Sequence, residues 1–179
     1  MNGSLSLDDA RIERVQSLFA CCGDEITFER ARELAAHRVE IYRQSRRAVP
    51  GAIELLAALK RTARIGVVTN NFTGEQLGKM EACGLTSLVD VLVTSEETGL
   101  TKPSPDIFHL AVERLGCRHG DSVMVGDSWE VDVIGALHAG LRAVWFNRHG
   151  DPKPDNLDVA EIRSLEPAGA VASQISPGS

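Results

Sequence analysis

The chain has 179 residues, a formal net charge of -6 at pH 7 and an apolar content of 43%, values that are ordinary for a globular protein with a buried core. The negative charge argues against a general nucleic-acid binder, because such proteins present a basic surface to the phosphate backbone. No apolar run approaches membrane-spanning length, no signal peptide opens the sequence, and the cysteines have no zinc-ligand or Cys-x-x-Cys spacing. We therefore predict a cytoplasmic protein with free, buried thiols and neither a nucleic-acid nor a membrane partner.

The segment up to about Arg47 has a helical pattern of apolar residues. Thr27 is the expected N-cap of the second of two predicted helices. The two apolar stripes are Ile12, Val15, Leu18 and Phe19 in the first helix, and Phe28, Ala31, Leu34, Ala35, Val39 and Tyr42 in the second.

Beyond Val49-Pro50-Gly51 the pattern changes, and short apolar runs alternate with segments of helical length. Thr73 and Gln76 have the spacing of a capping box, and Ser104-Pro105 marks another helix start. The predicted strands are 65–68, 89–93, 122–125 and 143–146, with an edge strand at 159–162. This alternation predicts an α/β fold: a Rossmann-like, three-layer parallel sheet with right-handed crossovers.

Polar residues stand where these predicted strands end. Thr69-Asn70 follows the first strand, Lys102 lies in the loop after the second, and Asp127 follows the third, with Asp132 just beyond. Ligands of an open parallel sheet bind beyond the carboxyl ends of the strands. The sequence therefore predicts that these residues converge on one edge of the sheet.

Each of these residues has both a functional and a structural interpretation. Thr69 could bind a phosphoryl oxygen or cap the following turn, and Lys102 could neutralise phosphate or lie on the surface. Asp127 could bind Mg²⁺ together with a phosphate, or serve as an N-cap. Asp132 could order metal-bound water, hold Lys102, or simply complement a helix dipole.

These motifs resemble the haloacid dehalogenase-like (HAD) hydrolase superfamily. The similarity extends over about residues 49–147 and rests on Thr69-Asn70, Lys102-Pro103 and the run from Gly126 to Asp132. Within the superfamily the chain looks most similar to small-molecule phosphatases of the noncanonical 5′-nucleotidase type. The helical segment before residue 48 resembles part of their cap.

The resemblance implies Mg²⁺-dependent hydrolysis of a small phosphorylated metabolite, such as a nucleotide or a sugar phosphate. In such enzymes one aspartate attacks phosphorus and a second acts as acid and then base. By the resemblance, Thr69 and Asn70 bind phosphate, Lys102 is the catalytic lysine, Asp127 binds the metal and Asp132 supports it.

The aspartate pair that the resemblance requires is missing before the first predicted strand. Asp8-Asp9 is no substitute, because it opens a helix and follows no buried strand. We therefore expect a partial helical cap at 1–47 and a HAD-like core at 48–179 that lacks its first strand. The missing strand would leave a slot in the sheet with unpaired backbone groups on both sides.

Two classes of function follow from this absence. The chain could be a truncated hydrolase that is inactive in this form, or a non-catalytic binding domain that fills its slot with a partner's strand or by self-association. A third alternative, a 2-haloacid dehalogenase, is compatible with Lys102 and less compatible with a metal-binding Asp127.

Overall fold

The computed structural model describes residues 7–154 and 156–176, and the first six residues, on which the signal-peptide prediction partly rests, lie outside this range. The chain divides into two compact units, residues 1–46 and residues 47–179. None of the helices in the described ranges is long and apolar enough to cross a membrane.

The first unit is a helical hairpin of α1 (Leu7–Cys21) and α2 (Phe28–Gln44). The Thr27 side chain caps α2 as predicted, accepting a hydrogen bond from the backbone N–H of Arg30 at 3.2 Å. The apolar stripes are only partly buried. Each helix can cover one face of its neighbour, so the core of this unit consists of Ile12, Val15, Ala31 and Ala35. Of the other residues in the two stripes, Leu18, Phe28 and Tyr42 are exposed, whereas Phe19, Leu34 and Val39 are half-buried.

The second unit alternates helices and strands. Its helices are α3 (Ala52–Leu59), α4 (Thr73–Ala82), α5 (Ser95–Thr98), α6 (Pro105–Leu115), α7 (Gly135–His138) and α8 (Ala168–Ile175). Its strands are β1 (Gly66–Thr69), β2 (Val91–Thr94), β3 (Val123–Gly126), β4 (Arg142–Phe146) and β5 (Ala160–Ile162). All pairings are parallel. β1 pairs with β2 in one sheet, and β4 lies between β3 and β5 in the other. The α/β fold and every predicted strand are confirmed.

Alternate residues of β3 point to opposite layers of the unit. Met124 packs on a cluster built around Phe108 of α6, whereas Val123 and Val125 pack on a cluster that contains Leu55 of α3. This alternation is the period of two that a strand imposes on its side chains. The strands are therefore covered by helices on both faces, as expected of a parallel sheet.

Each of the two sheets leaves strand edges unpaired. Within the described ranges, β1 pairs only with β2, and no ladder joins β1 to β3. No residue of β1 or β3 is fully buried, although β2 buries Val93 and Thr94 and β4 buries Val144 and Trp145. The valines of β1 and β3 are thus only half-covered. We refer to the free edge of β1 together with the free edge of β3 as the opening.

The amino end of the first sheet is held by Asp90. Its carboxylate accepts hydrogen bonds from the backbone N–H of Ile65 at 2.8 Å and from Lys60 Nζ at 2.7 Å. The backbone hydrogen bond from Ile65, followed by that from Lys60, lowers the pKa of Asp90 below its ordinary value. These contacts align the start of β1 with the start of β2.

One predicted helix start differs from the structure. The capping box of Thr73 and Gln76 is wrong, because Thr73 is already inside α4 and the N-cap position is Phe72. After β3, a π-helical segment runs from Trp129 to Ile134 and continues into α7. A π-helical turn is rare and often accompanies a functional site.

The thiols are free, as expected, but they are not buried. Cys21, Cys22 and Cys117 are exposed, and Cys83 is half-buried. The prediction used the average preference of cysteine for interiors, whereas these residues stand in loops or at helix ends, where little packs over them.

Candidate active site

Lys102 is held at both ends by contacts from different parts of the chain. Its backbone N–H donates to Asn70 Oδ1 at 2.7 Å, and its carbonyl accepts from Asn70 Nδ2 at 2.9 Å. Its ammonium group pairs with Asp132 Oδ1 at 2.6 Å, where the two side chains are only 11% and 7% exposed. The other carboxylate oxygen of Asp132 accepts from the backbone N–H of Ser128 at 3.1 Å. We call this chain of contacts, Asn70–Lys102–Asp132–Ser128, the lysine clasp.

The lysine clasp links the carboxyl ends of the two sheets. Asn70 directly follows β1, and Ser128 is the second residue after β3. Gly126, the last residue of β3, makes the clasp possible, because a Cβ at this position would overlap the side chain of Asp132. A residue without a side chain is therefore required where Asp132 approaches the strand.

Gly126→Ala is expected to destabilise the second unit by about 1–3 kcal/mol, because the added methyl group must displace Asp132 and with it Lys102. Urea unfolding followed by tryptophan fluorescence measures this effect, since both tryptophans of the chain, Trp129 and Trp145, lie in this unit. Gly74→Ala is the matched control, because a Cβ at this helical position meets open space. We expect that control to be neutral or slightly stabilising, and equal losses in both variants would contradict the steric argument.

Asp127 presents an exposed carboxylate that no described residue hydrogen-bonds or ion-pairs. The alternative interpretation of Asp127 as an N-cap finds no support, because Ser128 occupies that position and its backbone N–H is bound by Asp132 instead. The backbone of Asp127 is held by a hydrogen bond: its carbonyl accepts from the indole N–H of Trp145 at 3.1 Å. Asp127 is therefore a positioned residue with a free acceptor group.

Thr69 ends β1 opposite Thr94 of β2 and is half-buried. The loop after Thr69 is anchored by α5, the short helix that follows β2: the Thr73 backbone N–H donates to Glu96 Oε2 at 2.9 Å. The Thr73 and Thr94 hydroxyls also hydrogen-bond at 2.6 Å. Glu96 thus supplies to α4 the cap that Gln76 was predicted to supply.

The predicted site residues lie at the carboxyl ends of β1 and β3 and in the loop beyond β2. The structure joins Asn70, Lys102 and Asp132 directly, and of the three interpretations of Asp132 it shows the contact with Lys102. Sequence reasoning missed Gly126 and Trp145. The adjacency of Gly126 to Asp127 was an available signal, whereas the Trp145 hydrogen bond spans 18 residues and has no local signature.

Lys102 is thus fixed between the carboxyl ends of parallel strands, the position at which ligands of an open α/β sheet bind. The sequence profile of the family described as haloacid dehalogenase-like hydrolase matches residues 4–140. The chain belongs to the haloacid dehalogenase-like hydrolase family.

Its similar relatives include phosphatases of small metabolites. The chain is 41% identical over 123 residues to the pyrimidine 5′-nucleotidase YjjG of Escherichia coli, covering 66% of this chain and 55% of that protein. It is 41% identical over 97 residues to the human N-acylneuraminate-9-phosphatase, covering 54% of this chain and 39% of that protein. The chain thus spans only about half the length of these relatives, or less.

Solved structures share the fold. The magnesium-bound HAD-hydrolase YfnB of Bacillus subtilis superposes with a TM-score of 0.77 at 24% identity, covering 96% of this chain and 74% of that chain. A HAD phosphatase of Thermococcus onnurineus superposes with a TM-score of 0.66 at 29% identity, covering 90% of this chain and 88% of that chain.

Proposed function

We propose that this chain carries the phosphate-binding and metal-binding parts of a hydrolase that cleaves the phosphomonoester of a small metabolite, a nucleotide or a sugar phosphate. The observation that carries the proposal is the buried Lys102–Asp132 pair at the carboxyl ends of the strands. A buried ion pair has a larger desolvation penalty than an exposed one and is weak evidence of a stabilising role, so the burial of this pair favours a functional role. The names of the phosphatase relatives support the same reaction class.

The residues take distinct roles in this proposal. The Thr69 hydroxyl, which no described residue hydrogen-bonds, and the Asn70 backbone N–H would donate to phosphoryl oxygens. The Lys102 ammonium group, which can donate three hydrogen bonds, would contribute positive charge to the phosphoryl group while it keeps Asp132. Preorganised donors of this kind stabilise the charge that spreads over the phosphoryl oxygens.

Asp127 fits one ligand position of Mg²⁺. Magnesium is usually bound through one or two carboxylates, with the remaining positions taken by water and substrate phosphate, and Asp127 has both oxygens free. The described residues contain no group of three or more carboxylate, histidine or cysteine side chains that could hold a metal ion. Bound Mg²⁺ would offset the charge of the phosphate. Because Asp127 supplies a single carboxylate, affinity for the metal would depend on further ligands from outside this set of residues.

The opening would receive the reacting carboxylates. An apolar strand that paired with both β1 and β3 would satisfy their free backbone groups and cover their half-buried valines. Its carboxyl end would emerge between Thr69 and Asp127, where an aspartate could attack phosphorus. We propose that the 179 residues alone are inactive because no such strand with aspartates precedes β1 in this sequence. Cytoplasmic location stays a prediction.

Binding of inorganic phosphate tests the proposal without requiring turnover. NMR titration of the chain with phosphate is expected to perturb the amides of Thr69 and Asn70. Lys102→Met is expected to weaken binding by about 10- to 100-fold, the effect of losing one hydrogen bond to a charged group. Lys60→Met is the matched control, because Lys60 pairs with Asp90 at the opposite, amino end of the strands. Equal losses in both variants, or no binding at all, would count against the proposal.

A non-catalytic domain that associates through the opening is the second candidate, favoured by the half-buried valines of β1 and β3. Sedimentation analysis separates the two ideas, since strand exchange between copies would give concentration-dependent dimers. The dehalogenase alternative is supported by a 2-haloacid dehalogenase of Pseudomonas syringae, which superposes at 27% identity with a TM-score of 0.67. The free Asp127 carboxylate favours phosphate-ester chemistry over it.

A further inference from the structure

Asn70 is the first anchor of the lysine clasp, and its side chain faces the backbone of Lys102. The amide oxygen accepts from the Lys102 N–H at 2.7 Å, and the amide nitrogen donates to the Lys102 carbonyl at 2.9 Å. A carboxamide carries both a donor and an acceptor, which a carboxylate or a hydrocarbon side chain does not. Both polar backbone groups of Lys102 are therefore matched by one side chain.

We propose that Asn70 is a positioning residue, whose side chain holds Lys102 in place before any ligand binds. Lys102 stands in a loop, and 32 residues separate it from Asn70. Its ammonium group is held by Asp132, which belongs to the π-helical segment after β3. The backbone end is thus tied to β1, and the ammonium end is tied to β3. Two such anchors set the position of the lysine relative to both sheets.

This role differs from direct phosphate binding by the Asn70 side chain. Both polar atoms of that side chain are already engaged with Lys102, so the backbone N–H is the group left to meet a ligand. Only the consequence of this anchoring, a cation already in place at the phosphate site, rests on the proposed function. The anchoring itself is a property of the ligand-free protein and can be measured there.

The test is hydrogen exchange of the lysine ammonium groups, observed by NMR on the ligand-free 179-residue protein. Lys102→Met assigns the Lys102 signal. We expect slow exchange for Lys102, because its side chain is 11% exposed and paired. In Asn70→Ala we expect exchange to accelerate at least about tenfold, as loss of a hydrogen-bonded anchor favours local opening. Asn70→Asp keeps the acceptor for the Lys102 N–H and should give an intermediate rate.

Asn71→Ala is the matched control, because the neighbouring Asn71 Nδ2 has no hydrogen-bond partner. Tryptophan fluorescence verifies that each variant is folded, and the signal of Lys60 serves as an internal reference. An unchanged Lys102 exchange rate in folded Asn70→Ala, or an equal change in Asn71→Ala, would overturn the proposal. Failure of the parent protein to bind phosphate would overturn the proposed function instead and would leave the exchange result standing.

Discussion

Asp132→Ala is expected to lower the free energy of unfolding of the second unit by about 3–5 kcal/mol, because it leaves the buried Lys102 ammonium group without its counter-ion. The two side chains are 11% and 7% exposed, so water cannot replace the lost carboxylate without rearrangement. The variant also removes the acceptor for the Ser128 backbone N–H. Urea unfolding monitored by tryptophan fluorescence measures the loss.

Two further variants separate the buried charge from simple truncation. Adding Lys102→Met to Asp132→Ala is expected to recover much of the stability, because no unpaired charge then remains in the interior. Glu97→Ala breaks an ion pair with Arg114 in which the side chains are 43% and 35% exposed, and it should leave the unfolding midpoint almost unchanged. If the double variant were no more stable than Asp132→Ala, burial of charge would not be the cause.

The second large effect concerns hydrolysis. We expect the 179-residue chain with Mg²⁺ to hydrolyse an aryl phosphate no faster than buffer does, because the sequence offers no carboxylate pair at the end of a strand before β1. A version extended before Met1 by an apolar strand ending in Asp-x-Asp is expected to become active. In that version, Lys102→Met should reduce kcat/KM by about 10²–10³-fold, the usual effect of removing one preorganised charge-stabilising group.

The adjacent pair Asp8-Asp9 provides the control for this experiment. It lies at the start of α1, within the helical hairpin, and its replacement by asparagine should change neither the inactive nor the extended protein. Turnover by the 179-residue chain that Asp127→Ala abolishes would contradict the prediction, because it would mean that the nucleophile already lies within this sequence.

Much of the fold was predictable from local pattern. The helix from Pro105 to Leu115 follows an N-cap serine and a proline at its first position, and its end coincides with Gly116 in a left-handed conformation. The strands were found because a buried parallel strand needs an uninterrupted apolar run. The capping of α4 was missed because Glu96, which accepts a hydrogen bond from its first turn, lies after β2 and is 23 residues away from Thr73 in sequence.

The sequence by itself determined which residue types end the strands, because the apolar runs and the polar residues that follow them are local properties of the chain. It could assign Lys102 and Asp127 to one sheet edge from the geometry of parallel strands alone. Only the tertiary structure decided what those residues contact: Asp132 pairs with Lys102, Asn70 holds the Lys102 backbone, and Asp127 stays free. Such contacts depend on distances between segments that are about 30 residues or more apart in sequence, which no local pattern encodes.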